Sequence, residues 1–139
     1  MRDYKLNSEF YDISDGLEKH HGIFSAISEM GVPIFTNEIP TAAVEFDKEG
    51  YQINFLFNPD YWKSVSDVTK AFIICHECLH VLLDHGLRIK NSDVPMLANI
   101  ATDIVINEML VQSFGFDRSQ IDNQENLCWL DTIFKDKQV

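Results

Sequence analysis

Basic residues are scarce in this chain. Eleven Lys and Arg stand against 22 Asp and Glu in 139 residues, a formal net charge of -11. A surface that acidic repels phosphate backbones, so no nucleic-acid partner is expected. Long apolar runs are also missing. No stretch approaches the ~18 to 20 residues that cross a bilayer, so no membrane partner is expected. The opening Met1-Arg2-Asp3-Tyr4-Lys5 lacks the basic-then-apolar layout of a secretory signal. Cysteine is sparse and odd in number, three in all. That argues against a disulfide framework and for a reducing cytoplasm. Internal repeats and low-complexity tracts are absent.

What is present is ordinary for a globular domain. Apolar residues make up 45% and charged residues 24% of the chain, which excludes a wholly disordered or collagen-like protein. One domain spanning 1–139 is expected at this length. The chain stops without a clear terminal signal, so it is equally readable as the front of a longer protein.

Apolar periodicity over 8–30, with Phe10, Ile13, Leu17, Phe24 and Ile27, predicts a helix weakened by Gly16 and Gly22 and stopped by Gly31 and Pro33. Alternation over 41–47 and 51–57, around an Asp47–Gly50 turn, predicts a β-hairpin ended by Asn58-Pro59. Ser66 is a good N-cap for a largely apolar helix running to about Leu87, closed by Gly86. A loop with Asn91, Ser92, Asp93 and Pro95 follows. Met96 to about Phe114 then predicts a second apolar helix ended by Gly115. Trp129, Leu130, Ile133 and Phe134 predict a short docking helix in the polar tail. The expected class is α+β, mostly helical, with a small antiparallel sheet beside the helix that carries the chemistry.

That chemistry lies in Cys75-His76-Glu77-Cys78-Leu79-His80. On a helix, His76 and His80 lie about 40° apart and one turn from each other, so both imidazoles can grip one Zn²⁺. Glu77 sits on the flank of that face, placed to take a proton from zinc-activated water without being a ligand. Two His four apart also arise by chance. Here Ile73, Ile74, Leu79, Leu82 and Leu83 surround them, and burying such groups without a partner would cost several kcal/mol. Cys75 and Cys78 are expected to fill core as small hydrophobes.

A third ligand is needed. Asp84 lies about 12 Å along the axis from His76, too far for one ion. His85 lies about 180° round the helix and would need the helix to break before it. Asn99, Asp103 and Asn107 recur at four-residue steps on the next apolar helix. A buried stripe of that kind needs partners, and a metal with its His ligands supplies them. Asp103 is the favoured third ligand, with His85 the alternative. Asn99 and Asn107 are expected to orient a His ring or the carboxylate.

With these residues the chain resembles zinc metallopeptidases of the zincin superfamily, whose His-Glu-x-x-His is matched by His76, Glu77 and His80. In their gluzincin branch an acidic third ligand on a following helix is succeeded by a hydrogen-bonding residue four positions later. Asp103 and Asn107 look like that pair, with Asp in place of Glu. The chain is more closely similar to a metallopeptidase-like domain of bacteria and phages that often precedes a von Willebrand type A domain. The features carrying the likeness are Phe57-Asn58-Pro59, His76 to His80 with His85 and Arg88, and Asn99-Ile100-Ala101-Thr102-Asp103 continuing to Asn107, across roughly 40–110.

The resemblance implies a zincin-like fold, Zn²⁺ as cofactor, Glu77 as general base and a peptide or protein substrate. An extended peptide could add to an exposed strand edge. Tyr51, Tyr61 and His85 are open candidates for assisting. At this length the cleft is expected to be shallow or completed by a protein partner or further domain. The rival expectation is a zinc-stabilised binding module without turnover.

Overall fold

The computed structural model describes residues 4–20, 22–24, 27–46, 53–83, 95–123 and 127–133. The expected Asp47–Gly50 turn, Tyr51, Asp84, His85, Gly86, Arg88, the 91–93 loop residues and Phe134 lie outside the described residues.

Helix α1 (Tyr4–Asp15) buries Leu6, Phe10 and Ser14, a four-residue stripe. The Ser14 hydroxyl donates to the Phe10 carbonyl at 2.8 Å, which satisfies it inside the core. The helix expected over 8–30 ends here. Gly16 follows, and the chain continues as 3₁₀ turns at Leu17–Lys19 and Gly22–Phe24 before a one-turn helix α2 (Ile27–Met30). Two glycines in that stretch weaken a continuous helix enough for local turns to win.

The chain then enters strand β1 (Gly31–Phe35), where Gly31 and Pro33 predict only a helix stop. Strands β2 (Ala42–Phe46) and β3 (Ile53–Phe57) form the expected hairpin pair. The sheet order is β1-β3-β2, with β1 parallel and β2 antiparallel to β3. The sheet is therefore mixed rather than purely antiparallel. Pro33 is tolerated because β1 is an edge strand. Gly31 is required by crowding, because a Cβ there would lie 2.3 Å from the Ile53 carbonyl oxygen.

One face of the sheet is covered. Phe55 and Phe57 are fully buried, and Phe10 of α1 packs on them with ring centroids 5.9 and 5.8 Å away. Helix α3 (Pro59–Ser64) adds Trp62, 4.9 Å from Phe57. Its indole N–H donates to Glu9 Oε2 at 2.8 Å, so its polar edge is satisfied. Asn58 caps α3 by accepting from the Tyr61 N–H at 3.0 Å while its amide donates to the Ile39 carbonyl at 2.9 Å.

Helix α4 (Asp67–Leu82) is the spine of the molecule, with an unbroken buried run from Thr69 to Cys75. Ser66 is its N-cap, as expected, accepting from the Thr69 N–H. Asp122 reinforces that cap. Its Oδ2 accepts from the Ser66 N–H at 2.6 Å and the Thr69 hydroxyl at 2.9 Å, an anion at a helix N-terminus. Helix α5 (Pro95–Gln112) packs on α4. Gly115 follows it with φ of 82°, a left-handed turn that favours glycine. The tail then runs through a 3₁₀ turn (Arg118–Gln120) to α6 (Leu130–Ile133). Among the described residues, no helix is long and apolar enough to cross a membrane.

Candidate metal centre

His76 and His80 project from one turn of α4, and Asp103 reaches them from α5. Asp103 Oδ1 lies 3.1 Å from His76 Nε2 and 2.9 Å from His80 Nε2. The two Nε2 atoms are 3.1 Å apart. Three candidate ligand atoms thus form a nearly equilateral triangle, and the three residues are a group able to hold a metal ion. In a tetrahedral centre with bonds of ~2.0–2.1 Å, ligand atoms sit about 3.3 Å apart, close to these edges.

The surrounding hydrogen bonds determine which imidazole nitrogen is left for an ion. The Cys128 carbonyl can only accept, so it takes the Asn107 Nδ2–H at 3.0 Å. That turns Asn107 Oδ1 towards His76 Nδ1, 2.7 Å away. Nδ1 must then carry the proton, and in the neutral ring Nε2 presents a lone pair to the triangle. A lone pair facing a carboxylate oxygen calls for a cation between them, so the donor set fits a metal.

The electrostatics agree. Burial acts to lower the His76 pKa, but Asp103, Glu77 and Asn107 outweigh it and hold the ring above its ordinary value. Burial likewise acts to raise the Asp103 pKa, and the hydrogen bonds from His76 and His80 outweigh it, holding the carboxyl well below the usual range. The carboxylates of Asp103 and Glu77 both favour positive charge at this point.

Glu77 is 7% exposed and lines the same cavity. Among the described residues nothing hydrogen-bonds its carboxylate. Burial pushes its pKa up, and the attraction of His76 and His80 only partly offsets that. The cavity measures about 430 Å³ and also takes in Thr41, Ala42 to Val44 of β2, Tyr61 of α3, and Leu127 and Cys128 of the tail.

The residues singled out in the sequence are largely brought together. Asn107 touches His76 as expected. Asn99 lines the cavity but makes no hydrogen bond to the triad among the described residues. Cys75 and Cys78 are fully buried, and burial pushes the Cys78 thiol up to about 12, so they are core residues. The Cys128 carbonyl, Ile121 and Leu127 were missed. A main-chain acceptor and isolated apolar residues in a polar tail leave no spacing signal.

An α+β fold with a His-His-Asp cluster lining a cavity is a build able to hold a metal ion. The match to known families is narrower. A family model described as "Putative metallopeptidase domain" covers residues 37–122, and the chain belongs to that family. Comparisons with curated proteins and with solved structures return no match.

Proposed function

We propose that the chain is a zincin-like zinc metallopeptidase domain spanning 1–139, hydrolysing a peptide bond in a peptide or protein substrate. The observation that carries this is the convergence of His76 Nε2, His80 Nε2 and Asp103 Oδ1 beside a buried Glu77 whose carboxylate has no hydrogen-bond partner among the described residues. His76, His80 and Asp103 hold the ion. Zinc suits two imidazoles and one carboxylate, and when bound it acidifies water and polarises a carbonyl.

Glu77 supplies the proton transfers. Its raised pKa brings a carboxylate closer to neutrality, which suits a base that takes a proton and returns it to the leaving amine. Asn107 holds the His76 ring in the tautomer that leaves Nε2 available. The β2 edge beside α4 offers backbone groups along which an extended substrate can lie.

Two measurements test the proposal. Elemental analysis of purified protein should find about one zinc per chain in wild type and little in His76→Ala or Asp103→Ala. Glu77→Gln should keep its zinc and fold, while cleavage of a peptide library falls by about 10²–10⁴. A zinc-loaded wild type that cleaves no peptide would favour a zinc-stabilised binding module instead.

A further inference from the structure

The cavity continues past the triad. Counting back along α4 from His76, steps of three, four and seven bring Ile73, Phe72 and Thr69 to the same helix face, and all three line the cavity. Leu127 and Tyr61 line the same cavity, and the hydrogen bonds between Asp122 and Thr69 bring Ile121 to this end. Its chemistry differs from that of the triad end. Among the described residues, the charged and imidazole groups that line the cavity are His76, Glu77, His80 and Asp103, all gathered at the metal centre. The Thr69 hydroxyl is already committed to Asp122 and Ser66. A polar or charged group entering here would lose its water, and no described residue at this end offers a counter-charge to meet it. An apolar group would gain from burial.

Resting on the peptidase reading above, we infer that this end is a side-chain subsite for a bulky aliphatic or aromatic residue flanking the cleaved bond. Ile73, Ile121 and Leu127 set the preference. Ile73 stands one turn before His76, so the pocket opens beside the reacting centre. The cavity of about 430 Å³ holds a peptide group and one large side chain. Leu127 lies beyond the 37–122 stretch shared with the family, so this chain's own tail supplies that wall.

The test is ligand affinity in the zinc-loaded protein, measured calorimetrically with hydroxamates that differ only in side chain. Acetohydroxamate is the reference, against isobutyl, benzyl and carboxymethyl forms. The isobutyl and benzyl forms should bind about ten-fold or more tightly than the reference, and the carboxymethyl form should gain nothing. Leu127→Asp should bring the benzyl-to-reference ratio towards one, and Leu127→Ala, a gentler change at a half-buried position, should lower it part way. A ratio near one in wild type overturns the subsite, as does a ratio untouched by both variants. Peptide cleavage separates the two readings. Selective hydroxamates without any cleavage remove the peptidase and leave the pocket. Cleavage with no apolar preference removes the pocket and leaves the peptidase. Failure of every hydroxamate on protein that carries zinc overturns both.

Discussion

When protonated, His76 meets an acceptor at each ring nitrogen, Asn107 Oδ1 at Nδ1 and Asp103 Oδ1 at Nε2. Its titration therefore opposes metal binding in a way that can be measured. The Asp103 pKa is lowered in the fold, so its stabilisation is present above the unfolded value near ~3.9 and is lost as pH falls through the folded value. The His76 pKa is raised, so its stabilisation is complete below ~6.5 and is lost as pH rises through the folded value. Without metal, the pair contributes most between about pH 4 and 6.5. An ion needs the rings neutral, so its contribution grows as pH rises. The melting-temperature gap between loaded and chelated protein should widen from pH 5 to pH 8. A gap that is widest at pH 5 contradicts the assignment of His76 as ligand. Asn107→Ala removes the group that sets the His76 tautomer and should weaken zinc binding by about 10–100-fold in a chelator competition. At this scale the sequence was informative, because His76, Glu77, His80, Asp103 and Asn107 lie on two helices whose period exposes their shared faces. The Cys128 carbonyl that orients Asn107 carries no side-chain signature and had to be seen in three dimensions.

Elements were legible where their signals were local. The β2–β3 pair follows from alternation and α4 from the Ser66 cap, whereas α3 is unexpected, because Asn58-Pro59 reads as a strand end and also serves as the helix start. Strand β1 was not legible, because its partner β3 is remote in sequence and Gly31 and Pro33 resemble breakers. The structure shows what each of them does. Pro33 occupies an edge strand, and Gly31 lets β1 approach β3 so closely that a Cβ would meet the Ile53 carbonyl oxygen at 2.3 Å. The obstacle is main chain, so it cannot rotate aside. Gly31→Ala should therefore cost roughly 1–3 kcal/mol, read as a lower urea midpoint. An unchanged midpoint would mean that β1 does not pair with β3 in this register.

At the scale of the whole molecule, the centre joins parts that the sheet does not. The triad ties α4 to α5, and Asn107 carries the connection to the tail through Cys128. The tail is held further by Arg118, which pairs with Asp131 at 2.9 Å and lies over the Trp129 ring, 4.4 Å from its centroid. Trp129 itself is 1% exposed and packs on Phe72. An ion that binds only the folded chain stabilises it by mass action, by ~4 kcal/mol at a thousand-fold excess over Kd. In a chain of this size that is roughly 8–16 °C of melting temperature. Chelation at neutral pH should remove that increment, and His76→Ala should show none to remove. Amide exchange then locates the effect. Protection should fall in α5 and in 127–133 on chelation, while β1, β3 and α1, which do not line the triad's cavity, should change less. Uniform loss across the sheet and the tail would show that the ion supports folding globally rather than through the α4–α5 contact.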